Sequence, residues 1–275
     1  MKTTDSLRLS PRWKYLSLVQ MSVQRTLAYR RTVLINLAAS LVWLVASYYL
    51  WKAVFVSRTQ IGDFDWDRMR TYILLAYAVN VLLSSSWSTF RVMSIIRTGE
   101  IATELIRPFD FLYAQFSMSL GGALVEGLFS SLIAGAIGLI VFHIRLPVSP
   151  LAGALFLVSV VLGFANKFLI NYLVALVCFW TKNSLGLAWA QTAVVNILSG
   201  ALIPLEFFPN WLRTITLYLP FQAVINAPLS IYLGSVQGAG IAITLAIQTA
   251  WIVALLGLGR LLWRPSLRAL EIQGG

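Results

Sequence analysis

The sequence is poor in charged residues and has one cysteine and one histidine, and each shortage excludes a class of protein. Charged residues make up 11% of the 275, whereas hydrophobic residues make up 59%. Because soluble domains carry about 25% charged residues, this composition excludes an ordinary soluble domain. Cys178 alone cannot form an intrachain disulfide or a cysteine-based metal site, and His143 alone cannot form a multi-histidine site.

Motifs typical of enzymes are also missing. The sequence has no G-x-x-x-x-G-K-[ST] loop for nucleotide phosphates, no H-E-x-x-H zinc motif and no G-x-S-x-G nucleophile turn. We therefore expect that the chain is not an enzyme and that it carries no catalytic residue, no cofactor and no metal.

Long apolar runs are what the sequence has in abundance. A helix needs about 20 residues to cross the ~30 Å hydrocarbon core of a membrane. We expect an all-α polytopic membrane protein with six transmembrane helices, the third of which begins with an interfacial turn or is tilted. The predicted spans cover residues 32–54, 70–91, 112–142, 151–178, 185–203 and 239–262.

The net charge of +11 concentrates in segments that flank these runs. That arrangement is typical of an integral protein in contact with membrane lipids, and it does not favour nucleic acid as a partner. Most lysine and arginine residues fall on the inner side when the amino terminus is placed in the cytoplasm, which predicts that both termini are cytoplasmic.

We divide the chain into a cytoplasmic amino-terminal segment, a transmembrane domain and a cytoplasmic tail, at residues 1–31, 32–262 and 263–275. Helical periodicity over residues 12–31 predicts an amphipathic helix on the membrane surface.

An apolar stretch broken by prolines, residues 199–221, follows the fifth predicted span directly. Proline ends or kinks a helix because it lacks the N–H and clashes with the preceding turn. Broken backbone at membrane depth is tolerated only where protein or a wet cavity satisfies it. We therefore expect a broken hairpin of short helices between spans five and six, buried within or against the membrane.

The loop between spans two and three predicts a short amphipathic helix at about residues 98–107. Thr98 suits the N-cap, Glu100 in the first turn is favoured by the helix dipole, and Pro108 closes the helix. Acidic and apolar side chains fall on separate faces: Glu100 and Glu104 on one, Ile101 and Leu105 on the other. Such a helix is typical of a docking element, and an ordinary solvated loop is the alternative.

Two charged residues, Glu126 and Lys167, lie within predicted spans. Charges at membrane depth are costly and usually face a partner or a wet cavity. Because spans three and four are consecutive, an ion pair between these residues is feasible. Three roles remain open: an ion pair that holds the bundle, a substrate-facing charge or gate, and a proton relay.

Uncharged polar residues also lie within the spans, and such residues usually form hydrogen bonds between helices. They are Asn36, Asn80, Ser84, Ser85, Ser86, Asn166, Asn171, Gln191 and Asn196.

Residues 199–221 resemble the signature of the ABC-2 family of export permeases. The family pattern is a glycine, apolar residues, a proline, a spacer, a second proline followed closely by tryptophan, and an apolar helix that ends in proline. The matching positions are Gly200, Pro204, Pro209, Trp211 and Pro220. The amphipathic segment 12–31 is similar to the family's connecting helix.

The loop at 98–107 resembles the coupling helix of the same family, which sits in a groove of the ATPase. The resemblance assigns ATPase coupling to Gly99, Glu100, Ile101, Glu104, Leu105 and Arg107. It also implies that residues 199–221 form the outer gate or its support.

The resemblance implies a permease subunit without an attached nucleotide domain, from the six-span bacterial branch of the family. That branch is similar to exporters of drugs, viologens and related amphiphiles. Lipid-like or peptide-like cargo is also compatible. It implies a separate P-loop ATPase, in two copies, that carries ATP and Mg. It further implies a second ABC-2 permease, identical or paralogous, alternating access, and a location in the bacterial plasma (inner) membrane.

Two other classes of function remain open. The first is an ion-coupled secondary transporter that uses Glu126 and Lys167, although no convincing three-plus-three internal repeat supports it. The second is a non-transporting membrane scaffold subunit, which would show no substrate-stimulated ATPase activity in a reconstituted complex.

Overall fold

The computed structural model describes residues 11–83, 87–181 and 184–269. Within these ranges the chain is almost entirely helical. The α-helices in chain order are α1 (Pro11–Ala28), α2 (Arg30–Ser57), α3 (Trp66–Leu82), α4 (Trp87–Arg97), α5 (Ile101–Leu105), α6 (Phe111–Gly122), α7 (Leu128–Ile140), α8 (Pro150–Val177), α9 (Ser184–Leu198), α10 (Asn210–Tyr218), α11 (Asn226–Tyr232) and α12 (Ala239–Arg268). The fold is therefore all-α, as the composition predicts.

Shorter elements complete these helices. A π-helical turn, Ala123–Gly127, joins α6 to α7, and two 3₁₀ turns lie at Leu205–Phe207 and Pro220–Ala223. Two strands that the sequence analysis did not predict, β1 (Gln60–Ile61) and β2 (Phe64–Asp65), form an antiparallel hairpin in which Gln60 faces Asp65.

Four of the described helical segments are long and apolar enough to cross a membrane. They are Arg30–Ser57, Phe111–Ile140, Pro150–Val177 and Ala239–Arg268, and they match predicted spans one, three, four and six. The helices at predicted spans two and five are shorter, with 17 residues in α3 and 15 in α9. At 1.5 Å per residue, α9 is about 23 Å long, which is less than the ~30 Å hydrocarbon core.

The second predicted span, residues 70–91, has the wrong limits. Its helix α3 already begins at Trp66, because the Asp65 side chain accepts a 2.7 Å hydrogen bond from the Arg68 N–H and caps the helix. It ends at Leu82, and α4 begins at Trp87. The serines predicted within this span, residues 84–86, lie outside the described ranges.

The third span begins as a regular α-helix at Phe111 rather than with a separate interfacial turn. The Asp110 carboxylate accepts a 3.2 Å hydrogen bond from the Tyr113 N–H and caps α6. The helix continues through the π turn to Ile140. Single π turns within α-helices frequently occur at functional sites, and this one contains Glu126.

The amino-terminal helix α1 is packed along α6. Ser22 Oγ donates a 2.6 Å hydrogen bond to the Met118 carbonyl oxygen. A Cβ atom at Gly121 would lie 2.6 Å from both the Ser22 Cβ and the Val19 carbonyl oxygen, so only glycine allows this approach. The helix ends at Ala28, before the predicted limit, and its position on the membrane surface stays a prediction.

The long helix α8 lies at the centre of the bundle and contacts α4, α6, α9, α11 and α12. Gln248 of α12 is completely buried against it, accepting a 2.9 Å hydrogen bond from Ser159 Oγ. Its amide donates to the Ser159 and Ala223 carbonyl oxygens at 3.1 and 2.7 Å. Asn166 Nδ2 donates to the Gln248 carbonyl oxygen at 3.1 Å. These bonds join α8, α12 and the 3₁₀ turn Pro220–Ala223.

One end of the bundle carries the β-hairpin. There the Arg145 guanidinium forms a 2.7 Å ion pair with Asp65, and Tyr232 Oη donates to the Arg145 carbonyl oxygen at 3.1 Å. Partial burial would raise the pKa of Asp65, but the hydrogen bond from the Arg68 N–H and the charge of Arg145 outweigh it and lower that pKa. We call this the β-hairpin end.

The opposite end carries α5, and we call it the α5 end. Here Asp110 accepts a hydrogen bond from Arg260 of α12, while the Asp110 N–H donates to Tyr15 Oη of α1 at 3.3 Å. The start of α1, the loop after α5 and the last third of α12 are therefore fixed to one another.

Substitution of Gly163 by alanine tests the tight packing at the centre of the bundle. A Cβ there would lie 2.8 Å from the Val224 carbonyl oxygen, which is backbone and cannot rotate away. We expect Gly163→Ala to lower stability by about 1–3 kcal/mol, measured as a fall in melting temperature of the purified protein.

Gly135→Ala is the matched control, because a Cβ at that helical position has no neighbour within 4 Å. It is expected to change stability by less than about 1 kcal/mol, in the stabilising direction. Equal melting temperatures for the two variants would contradict the close contact at Gly163.

Candidate functional site

The proline-broken segment returns into the bundle after α9 ends at Leu198. The prolines stand at the boundaries of its short elements: Pro204 before Leu205–Phe207, Pro209 before α10, and Pro220 at the start of Pro220–Ala223. Asn226 N–H donates a 2.9 Å hydrogen bond to the Ser199 carbonyl oxygen, which closes the segment into a loop.

Gly200 sits at the start of this loop in a conformation that favours glycine, with φ at +87°. Tyr72 Oη of α3 donates a 2.6 Å hydrogen bond to the Gly200 carbonyl oxygen. A Cβ at Gly200 would lie 2.7 Å from the same hydroxyl. The glycine of the signature is therefore explained by the backbone conformation at Gly200 and by the close approach of Tyr72.

The segment is buried near both ends and exposed along α10 in its middle. Pro204, Leu205 and Pro220 are buried, whereas α10 presents Trp211 with 66% of its surface exposed. Phe207 packs its ring 5.2 Å from the ring of Phe64, so the segment lies at the β-hairpin end. The buried prolines anchor the segment, and α10 offers an apolar face outward.

The loop after α4 differs from the prediction in its cap. Thr98 Oγ1 donates a 3.0 Å hydrogen bond to the Ser94 carbonyl oxygen and therefore completes α4 instead of capping the next helix. Gly99, with φ at +77°, turns the chain. Helix α5 then spans only Ile101–Leu105, with Glu100 at its N-cap position and no side-chain cap. The prediction that Thr98 caps α5 is therefore wrong, because its hydroxyl bonds to the Ser94 carbonyl oxygen at the end of α4.

The predicted apolar face of α5 is divided between the interior and the surface. Ile101 is completely buried, and Leu105 is 40% exposed. Ile106, which the sequence analysis did not select, is 83% exposed. Its apolar side chain directly before Arg107 and the helix-ending Pro108 was the signal available in the sequence. Glu104 forms a 3.1 Å ion pair with Arg107, which holds the acidic side of the loop in place.

The two charges within spans do not pair with each other among the described residues. Lys167 of α8 is buried, and its Nζ donates a 3.1 Å hydrogen bond to Asn80 Oδ1 of α3. Glu126 Oε1 accepts a 2.8 Å hydrogen bond from Asn36 Nδ2 of α2. The predicted ion pair is therefore wrong in this structure, because the two side chains face different neighbouring helices.

In-span amides do connect helices, as the sequence predicts. Besides the bonds of Asn36 and Asn80, Gln191 Nε2 of α9 donates to Asn171 Oδ1 of α8. Within the described ranges, no group of three or more His, Cys, Asp or Glu side chains could hold a metal ion.

Exchange of the two in-span charges tests these assignments. Since Glu126 and Lys167 have separate amide partners, we expect Glu126→Lys combined with Lys167→Glu to be at least as unstable as the worse single variant. Melting temperature and expression level of the three proteins provide the measurement. Recovery in the double variant would show that the two charges pair after all.

Comparison with known proteins agrees with this architecture. A family model described as ABC-2 family transporter protein matches residues 41–274, and no curated protein matches the chain. The matched region contains both the loop at residues 98–107 and the proline-broken segment. Because the match covers most of the sequence, the chain belongs to the ABC-2 family of transporter proteins.

Proposed function

We propose that this permease of an ABC transporter exports an amphiphilic or drug-like compound across the bacterial plasma membrane by alternating access. The supporting observation is a family match over residues 41–274 in a sequence that has no P-loop of its own. ATP and Mg would then be held by a separate ATPase, in two copies.

Helix α5 is the proposed docking point for that ATPase. Its buried residue Ile101 anchors the loop in the bundle, while Leu105 and Ile106 offer apolar surface outward. Anchored on one side and exposed on the other, the loop is suited to transmit a push from a partner into α4 and α6, which flank it in the chain. The Glu104–Arg107 ion pair fixes its outline.

A second permease would cover apolar surface that one chain leaves open. Helix α2 buries only Val33, Leu37, Leu44 and Phe55 of its 28 residues. Helix α9 likewise exposes Leu185, Trp189, Val194 and Ile197. Lipid covers part of such a surface in any membrane protein. We propose that a second ABC-2 permease, identical or paralogous, covers the rest and that the cargo passes between the two.

The proline-broken segment is the proposed outer gate or its support, with both termini of the chain in the cytoplasm. Tyr72 and Asn226 hold its base to the bundle, so a movement of α3 acts directly on the turn at Gly200. The ion-coupled alternative uses Glu126 and Lys167 as a relay, and the separate amide partners of these residues do not favour it.

Charge placed on the exposed α5 loop should weaken ATPase association. We expect Ile106→Glu to reduce, by tenfold or more, the amount of P-loop ATPase that copurifies with the tagged permease and to abolish export, because a buried apolar contact would become a desolvated charge. Quantitative immunoblotting after detergent extraction is the measurement.

Leu146→Glu is the control, since Leu146 is 72% exposed at the β-hairpin end. It should leave copurification unchanged. If both variants retain the ATPase equally, α5 is not the docking point.

A methyl group at Gly200 should disturb the gate without touching the ATPase. We expect Gly200→Ala to reduce transport at least tenfold while copurification of the ATPase persists, because the new Cβ crowds Tyr72 Oη and strains the backbone. Adding Tyr72→Phe should restore part of the transport, since it removes the crowding hydroxyl.

Gly238→Ala carries the same kind of backbone strain, with φ at +55°, but a Cβ there meets no atom within 4 Å. It is expected to retain most transport. Loss of transport in both glycine variants would attribute the effect to strain alone and would remove the role of the Tyr72 contact.

A further inference from the structure

A cavity of about 490 Å³ lies between α1, α2, α4 and α6 and is separate from the α5 loop and the broken segment. Arg25 and Tyr29 line its mouth and are exposed, whereas Gln115 and Ser119 line its buried floor. Its volume is in the range of small-molecule sites, which run from about 300 to 1,000 Å³. None of the transport roles proposed above uses it.

Two hydrogen-bond donors on the wall of this cavity have no partner among the described residues. Gln115 is 1% exposed, and its Nε2 makes no hydrogen bond. Arg91 Nε is likewise buried and unpaired. Buried polar groups in native proteins are nearly always hydrogen-bonded, so an unpaired group requires an explanation. Because both groups are donors, the missing partner must be an acceptor.

The charges around the cavity favour an anionic acceptor. Arg25 and Arg91 both line the cavity and bring two positive charges to it. Glu100 and Glu104 do not line the cavity.

One carboxylate, Glu126, does line the cavity. Its Oε1 accepts a hydrogen bond from Asn36, and among the described residues it forms no ion pair with either arginine. An anion seated between Arg25 and Arg91 would be attracted by both charges and would accept bonds from Gln115 and Arg91.

Val33 and Met118 add apolar side chains to a lining that also includes the hydroxyl groups of Ser22, Thr26 and Thr32. A ligand that suits this mixed lining has an anionic polar head and an apolar part. Anionic phospholipids combine both, and basic pockets between helices on the cytoplasmic side bind their head groups. The cavity lies beside Arg25 and the junction of α1 with α2, which is the side of such head groups when the amino terminus is cytoplasmic, as proposed above.

We propose that this cavity binds the phosphate head group of an anionic phospholipid, with Arg91 and Gln115 as donors at the floor and Arg25 at the mouth. The lipid then joins α1 to α2, α4 and α6, and the amino-terminal helix is held in the bundle in part by a lipid. The inference does not depend on the cargo or on the ATPase.

Lipid binding to the purified full-length chain tests the proposal. Native mass spectrometry would count bound dioleoyl phosphatidylglycerol, with dioleoyl phosphatidylcholine as the zwitterionic comparison. We expect one tightly bound phosphatidylglycerol, a higher melting temperature in its presence, and an affinity lowered about tenfold or more by Arg91→Gln. The control is Arg97→Gln, an exposed position at the end of the same helix, which should change affinity by less than about twofold.

Three results would overturn the proposal: phosphatidylcholine that binds as tightly as phosphatidylglycerol, equal effects of Arg91→Gln and Arg97→Gln, or full protection by sodium phosphate with no further gain from the lipid. The last result would assign the site to a free anion. If Arg91→Gln does not fold, Arg25→Gln at the exposed mouth decides the question, with a weaker but measurable loss of phosphatidylglycerol binding expected.

Discussion

Backbone groups that leave a helix inside an apolar bundle need partners within the protein, since lipid offers none. Three bonds meet this requirement along the broken segment and the turn Pro220–Ala223 that ends it. Tyr72 Oη donates to the Gly200 carbonyl oxygen, Asn226 N–H to that of Ser199, and the Gln248 amide to that of Ala223. The segment can therefore turn back into the bundle instead of forming an exposed loop. Gly200 and Gln248 thus contribute to the same result: backbone carbonyl groups outside the helices find hydrogen-bond donors within the protein.

The same requirement explains how the in-span charges are accommodated. A buried lysine and a half-buried glutamate each have an asparagine partner on a neighbouring helix. An amide provides a hydrogen bond without a second charge, so each pair joins two helices and offsets part of the desolvation cost of the buried charge. Lys167 in this way connects α8 to α3, and Glu126 connects the π turn to α2. These contacts give both charges a place in the helix packing.

The sequence predicts the features that depend on neighbouring residues: the all-α class, the long spans, the family, and the division of residues 199–221 at its prolines. The predictions failed where the position or the partner of a residue depends on contacts with other parts of the chain. The cap at Asp65 moved the start of α3, and Ser94 competed for the Thr98 hydroxyl. The partners of Glu126 and Lys167 depend on which helices are neighbours, and span order alone suggested the wrong pair. The exposure of Ile106 likewise depends on how its loop is anchored by Ile101.

Seven buried side-chain atoms have no hydrogen-bond partner among the described residues, and two of them, Gln115 Nε2 and Arg91 Nε, belong to residues that line one cavity. Along α8 and α12 even a completely buried glutamine uses both ends of its amide. Gln115, buried to the same degree in α6, leaves its amide nitrogen without a partner, and it does so beside an arginine nitrogen in the same condition. Two unpaired donors on one cavity wall point to a common acceptor. Because a second arginine stands at the mouth, that acceptor is an anion, and its natural source in a membrane is the lipid that surrounds the protein.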